Sequence, residues 1–320
     1  MQNAAPHANL IEASQENIHE RIFDADIFVG HAKVPVPWQD VVAESRLTFI
    51  QSSAAGLDHC LHPSVIDSGI VVCSASGLFA NQVAEQTLAL LLGLLRSIPV
   101  FYRQWQNKEF VRRPTDDLYG KKVGIVGLGG NGRRLVEILE PFDVTIRATD
   151  YFPERKPPTV DALWPHTDLA RLAAWAEILI LTLPLNEMTR GIVDAKIFAT
   201  MPRGSYLINV ARGSCVNEVD FCAALSSGHI AGAGLDVTDV EPLPPSSPLW
   251  GFPNVLITPH VGAQSARRTD DTTKLICENL RRYFAGEDLY NLVDKRLGFP
   301  HPSVLYKPEQ RLENLAPFQT

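Results

Sequence analysis

Short, wholly apolar segments separated by helical patterns are the clearest signal along the chain. Residues 121–127 (KKVGIVG) are β-branched and end in glycine, the pattern of a buried strand. A helix over 133–140 follows, stopped by Pro141, and 144–150 reads as the next strand. The rhythm continues with a helix over 169–176 and strands over 178–185 and 205–210. A helix over 217–227 and strands over 230–237 and 254–260 complete it. Apolar strands alternating with helices build a parallel sheet covered on both faces. Six such strands in two halves predict a doubly wound α/β domain that binds a dinucleotide.

The N-terminal third repeats the rhythm more weakly, with strands over 25–30, 47–53 and 70–76, and predicts a second, smaller α/β domain that starts abruptly, its first strand short or absent. A long apolar helix over 81–96 and another long helix over 265–285 read as the bridges between the two, and 291–298 returns to the first. The expected division is a substrate domain of 1–90 and 286–320 and a dinucleotide-binding domain of 91–285. Residues 300–320, with four prolines, read as an extended strap or loose tail.

Composition narrows the function. Hydrophobic residues are 45% and charged residues 20% of the 320, a mix that folds rather than staying disordered. With 29 Lys and Arg against 36 Asp and Glu, the net charge of −7 offers no footprint for a nucleic-acid backbone, and no such partner is expected. The apolar stretch 88–95, closed by Glu85 and Arg96, is far shorter than the ~20 residues that span a bilayer, so no membrane partner is expected either. The first residues lack a secretory pattern. The five cysteines form no C-x-x-C pair, which fits a reducing compartment and a cytoplasmic protein. No metal is expected.

Gly127-Leu-Gly129-Gly130-Asn131-Gly132 lies between a predicted strand and a predicted helix. In a G-x-G-x-x-G turn the first glycine permits the tight bend, the second lets a pyrophosphate approach the backbone, and the third lets helix and strand pack closely. Such a pattern alone is also an ordinary glycine turn. Asp150 strengthens it, standing 18 positions beyond Gly132 at the end of the next strand, where a carboxylate accepts hydrogen bonds from both ribose hydroxyls. A carboxylate there repels a 2′-phosphate, and Tyr151 and Phe152 follow instead of arginine, so the expected cofactor is NAD rather than NADP.

Open α/β sheets bind ligands beyond the carboxyl ends of their strands. Four charged or titratable groups follow such ends in the second half: Arg212, Asp236, Glu241 and His260. Singly they also read as a surface ion pair, a loop carboxylate and a strand-end histidine. Together, beside a dinucleotide turn, they match hydride chemistry on a 2-oxo acid. That chemistry needs a fixed cation for the carboxylate, a proton donor for the carbonyl oxygen and an acid to tune the donor.

At these residues the chain resembles the NAD-dependent D-isomer-specific 2-hydroxyacid dehydrogenase family, of the glyoxylate/hydroxypyruvate reductase type. The likeness runs from about Leu47 to Gly298 through Ala55-Gly-Leu-Asp58, Asn81-Gln-Val-Ala-Glu85, the glycine turn, Leu183-Pro-Leu185 with Thr189-Arg190, Asn209-Val-Ala-Arg-Gly213, Gly234-Leu-Asp-Val237 with Glu241-Pro242, and Thr258-Pro-His-Val-Gly262. The resemblance implies a flavodoxin-like fold for the smaller domain and an oxidoreductase acting on the CH–OH of a small D-2-hydroxy acid, or reducing the 2-oxo acid, possibly glyoxylate or hydroxypyruvate. It implies that Arg212 clamps the substrate carboxylate, that His260 is the general acid in reduction and base in oxidation, and that Glu241 bonds His260 and favours its protonated form. By the same resemblance Asp236 would lie by the nicotinamide, Pro184, Val210, Ala211 and Gly262 would line the cofactor channel with Arg212 and His260, and the amides of Ala55 and Gly56 would complete the carboxylate site on domain closure. A homodimer is implied, through the long helices and 102–118. Gly130 and Asn131 depart from the larger polar or basic and then aliphatic residues of many relatives, so a side-chain contact to phosphate is lost at 130. A different class, an NAD-sensing interaction protein of the C-terminal-binding-protein type, shares the same fold and triad.

Overall fold

In the computed structural model, which describes residues 1–306, the chain divides into two compact units, one of 80–264 and one of 1–79 with the described residues from 265 on. Segment 307–320, most of the expected strap, lies outside the described residues.

The larger unit is a seven-stranded parallel sheet. Its strands are β4 (Lys122–Val126), β5 (Thr145–Asp150), β6 (Ala162–Pro165), β7 (Ile178–Leu181), β8 (Ser205–Asn209), β9 (Ile230–Leu235) and β10 (Val255–Ile257), in the order β10-β9-β8-β7-β4-β5-β6. β4 pairs with both β5 and β7, so the strand order reverses there, which is the doubly wound arrangement with its ligand crevice at the reversal. β7 is apolar and buried at every position, as a central strand with helices on both faces demands.

Several strands stop short of their apolar runs. β7 ends at Leu181 rather than 185, β9 at Leu235 rather than 237, and β10 at Ile257 rather than 260. His260 therefore stands in a loop and does not close a strand. The sheet holds seven strands and not six because 162–165 adds an edge strand, registered on β5 as Arg147 to Ala162. The helix after the glycine turn starts at Gly130 and continues through Pro141 as a single 3₁₀ turn, Glu140–Phe142, since proline is accommodated in a first turn.

The smaller unit carries three parallel strands, β1 (Ile27–Gly30), β2 (Phe49–Ser52) and β3 (Val71–Cys73), in that order. A first strand is thus present, at 27–30. Where the sequence placed the division at 90 and 285, the units part at 79/80 and 264/265. Packing accounts for both shifts. The face of helix Ala80–Leu95 holding Leu90 and Gly93 lies on Gly234 of β9 and Leu256 of β10. Helix Arg268–Ala285 instead buries Ile276 and Leu280 against Phe49 and Cys73 of the smaller sheet. The same helix plants Asn279, fully buried, beside β2: its Nδ2 donates to Gln51 Oε1 at 2.7 Å and to the Tyr290 carbonyl at 2.9 Å, and its Oδ1 accepts from the Tyr290 N–H at 3.0 Å. Burial pushes the Cys60 and Cys73 thiols up to about 12, leaving them inert core residues.

Replacing Asn279 by leucine keeps the volume but strands a buried amide oxygen, an N–H and a carbonyl. The expected loss is on the order of 3 kcal/mol in the stability of this unit, read by denaturant unfolding with Ile276→Val as a mild packing control.

Candidate active site

Three loops leave the carboxyl ends of β8, β9 and β10, adjacent strands of one sheet, and each brings one group. The first is built by Asn209, almost wholly buried: its Oδ1 accepts from the Ala211 N–H and its Nδ2 donates to the Arg212 carbonyl, both at 3.0 Å. That closed turn delivers Arg212, half-buried, with Nη1 on the Ala211 carbonyl at 2.7 Å. Gly213 then runs against the backbone of Thr238, so closely that any side chain there would overlap it, and this contact draws the β8 and β9 loops together.

On the second loop Glu241 Oε1 accepts from the Thr238 N–H at 3.1 Å and Oε2 meets His260 Nδ1 at 2.8 Å. Burial pushes the Glu241 carboxyl up. The hydrogen bonds from His260 and the Thr238 N–H, with the charges of His260 and Arg212, outweigh it and hold the group below its ordinary 4.5. An ionised carboxylate on Nδ1 fixes the proton there and turns Nε2 outward, the orientation a proton donor needs. Both side chains keep contact with solvent.

The third loop carries His260 at φ +54°, a left-handed backbone that residues other than glycine seldom adopt. Asp236, buried at the end of β9, holds it there. The Asp236 carbonyl accepts from the His260 N–H at 2.8 Å, Oδ1 from the Val261 N–H at 3.0 Å and Oδ2 from the Gly262 N–H at 2.8 Å. Thr258 adds its hydroxyl to Oδ1 at 2.6 Å, and Gln86 Nε2 donates to that hydroxyl at 2.8 Å.

The glycine turn fits a dinucleotide. Gly127 has φ +93°, and a Cβ on it would meet Leu183. Gly132 presses on the Gly127 carbonyl, which also accepts from Thr182 Oγ1 at 2.5 Å. Around Gly129, by contrast, no atom comes within 4 Å of a Cβ position, leaving the opening of the helix free for phosphate. Asp150 Oδ2 accepts from the Leu128 N–H at 2.5 Å and Oδ1 from the Phe152 N–H at 2.8 Å, so the side chain is locked beside the turn. Val210 and Ala211 are buried, Pro184 is half-buried with its carbonyl on Thr189 Oγ1 at 2.7 Å, and Gly130 and Asn131 open the helix.

In the smaller unit, Ala55 and Gly56 lie in the loop after β2. Neither N–H is used in a hydrogen bond among the described residues, while Ser52 builds the loop through its Oγ and the Ala54 N–H at 3.1 Å. Ser52 is thus a turn residue. Next to it stands His59, Nε2 3.4 Å from Ser52 Oγ, its ring 4.1 Å from that of His31. Gln86 and the roles of Asn209 and Thr258 were not foreseen. Gln86 pairs with a residue 172 positions away, and no local pattern marks it. Among the described residues no group of His, Cys, Asp or Glu is arranged to hold a metal ion.

A family model for the D-isomer specific 2-hydroxyacid dehydrogenase NAD binding domain matches residues 88–262. A glyoxylate reductase from Thermofilum pendens is 32% identical over 292 residues, 89% of this chain and 86% of the relative. A D-isomer specific 2-hydroxyacid dehydrogenase from Xanthobacter autotrophicus Py2, solved with NADPH and MES, superposes with a TM-score of 0.75 at 31% identity, over 93% of this chain and 94% of that one. An NADPH-dependent glyoxylate/hydroxypyruvate reductase from Sinorhizobium meliloti, solved with NADP and malonate, gives 0.75 at 27% identity over 92% and 91%. These matches favour catalysis over NAD sensing.

Because the Glu241 carboxyl is depressed, its contribution to stability is intact above pH ~4.5 and is lost as pH falls through the lowered value. Glu241→Gln keeps size and removes the charge. The stability difference between wild type and variant, at most about 1 kcal/mol for so exposed a pair, is expected to shrink and vanish as pH falls below ~4.5 through the lowered value. Denaturant unfolding across pH measures it.

Proposed function

The chain belongs to the D-isomer specific 2-hydroxyacid dehydrogenase family, NAD(P)-dependent oxidoreductases acting on CH–OH groups, and from that premise we propose that it reduces a small 2-oxo acid, glyoxylate or hydroxypyruvate, with NADH. The observation that carries this reading is the 2.8 Å bond between His260 Nδ1 and Glu241 Oε2, with the charge of Arg212 on the same carboxylate. A bound nicotinamide supplies the hydride. His260 gives its Nε2 proton to the carbonyl oxygen and takes it back in oxidation. Glu241 orients the imidazole through Nδ1, and Arg212 pairs with the substrate carboxylate, for which its planar guanidinium is suited. The unused Ala55 and Gly56 amides of the smaller unit are donors of the kind a carboxylate takes.

NAD is the proposed cofactor because Asp150 offers a fixed negative charge where a 2′-phosphate would need a positive one. The Xanthobacter and Sinorhizobium relatives were solved with the phosphorylated form, so the proposed preference rests on Asp150 alone. A cytoplasmic homodimer completes the proposal. Supporting it are five free thiols and the exposed Tyr102, Trp105, Phe110 and Tyr119, apolar surface of the sort that seats a second chain.

Loss of NADH absorbance with glyoxylate or hydroxypyruvate tests the activity. His260→Ala is expected to lower kcat by ~10²–10⁴-fold, the usual worth of a positioned acid–base group, and Arg212→Ala to lower kcat/KM for the acid while NADH affinity holds. Absence of turnover with either acid would overturn the substrate assignment. Asp150→Ala leaves Arg133, which already feels the charges of Asp150 and Arg155, at that corner of the site. The ratio of NADPH to NADH affinity should then rise at least about tenfold, one charge interaction of ~1.4 kcal/mol, measured by calorimetry.

A further inference from the structure

On helix Ala80–Leu95, Gln86 is followed by Leu90 and Gly93 at i+4 and i+7, so the three share a face. Below Gln86 that face is tightly seated. A Cβ on Gly234 would come within 2.8 Å of the Leu90 Cβ, and one on Gly93 within 3.0 Å of Leu256 Cδ1. The helix cannot slide on β9 and β10, and Gln86 is fixed where those strands give way to loops. Its amide reaches Thr258 Oγ1 at 2.8 Å, and its Cγ lies 3.6 Å from where a Cβ on Gly262 would stand.

A hydroxyl has one proton and two acceptor positions. With the Gln86 N–H in one of those positions, the Thr258 proton is aimed at Asp236 Oδ1, 2.6 Å away. Asp236 is 3% exposed, and a carboxylate so placed must be met by donors on both oxygens. It has three: the Thr258 hydroxyl and the Val261 and Gly262 amides. Two of these belong to the turn that carries His260 in its left-handed conformation, a backbone state that persists only where neighbours over-determine it. Gln86 thus stands at the head of a directed chain, through Thr258 and Asp236, to the backbone on either side of the imidazole.

We infer that Gln86 is a positioning residue for His260, acting through Thr258 and Asp236. The inference rests on the reading of His260 as proton donor, but its structural half is measurable without turnover. Gln86→Leu removes the donor, Gln86→Glu keeps the length and offers no donor when ionised, and Thr258→Val removes the relay. In the full chain with NAD bound, amide hydrogen exchange at Val261 and Gly262 is expected to quicken about 5- to 10-fold in each, the worth of roughly one hydrogen bond. Reductive kcat should fall by a similar factor with KM for the 2-oxo acid within about twofold, since the loosened group moves a proton and does not bind the carboxylate. The double variant Gln86→Leu with Thr258→Val should be no worse than the worse single change, because both cut one chain.

Unchanged exchange in Gln86→Leu and Gln86→Glu, in variants with normal circular dichroism and NAD affinity, would overturn the role. So would additive losses in the double variant, which would mean that Gln86 acts on something other than Thr258. If wild type turned over neither acid, the proposed activity would fall, while the exchange measurement would still decide whether Gln86 holds the turn.

Discussion

A carboxylate and an imidazole 2.8 Å apart, both open to water, make a weak bond in energy and an exacting one in geometry. Glu241 and His260 come from the ends of different strands, six and three residues beyond the sheet. Nothing in their own attraction is strong enough to bring two loops into register. The loops must be placed first, and the surrounding structure does that. Parallel pairing of β9 with β10 sets the strand ends side by side, Gly213 lets the β8 loop settle on Thr238, and Thr238 in turn holds the second oxygen of Glu241. The pair is the consequence of packing and the beneficiary of it.

The same sheet edge supports the dinucleotide by opposite means. At the catalytic loops position comes from side-chain oxygens taking backbone amides. At the glycine turn it comes from side chains being absent: Gly127 bends where a Cβ would strike Leu183, and Gly132 brings the helix onto the Gly127 carbonyl. Asp150 belongs to both styles. Its oxygens are tied to the Leu128 and Phe152 amides, so one side chain shapes the turn and sets an acid group beside it.

Much of this was legible in the chain, and the parts that were not share a cause. Apolar runs and the glycine spacing located the central strands and the turn, because burial on two faces leaves a continuous hydrophobic record. Strand ends were overestimated at 182–185, 236–237 and 258–260; at 183–185 and 237 the apolar character runs on past the last sheet residue, and nothing local marks where pairing stops. The edge strand Ala162–Pro165, half-exposed and ending in proline, left no such record. Helix Arg268–Ala285 reads alike whichever unit it joins; Ile276, Leu280 and Asn279, which meet Phe49, Cys73 and Gln51 far away in sequence, assign it to the smaller one. Arg212, Glu241 and His260 were visible as a set because all three follow strands. Gln86 was invisible because its partner is a loop threonine at the other end of the unit.

Two acids beside one histidine invite the question of why both are needed. Asp236 is buried and spends its oxygens on the Thr258 hydroxyl and two amides; it fixes where the imidazole is. Glu241 is half open and spends one oxygen on the ring itself; it fixes which way the ring points. Exchanging the roles would fail on physical grounds. A fully buried carboxylate on the ring would pull hard on the proton that must be released, since charge interactions strengthen as water is excluded. A solvent-exposed carboxylate under the turn would be too loosely held to keep a non-glycine residue at φ +54°. Separating the two tasks lets the loop stay rigid while the ring is oriented from outside it, and it explains why the helix behind the site carries a polar residue at the one point where its apolar face meets Thr258.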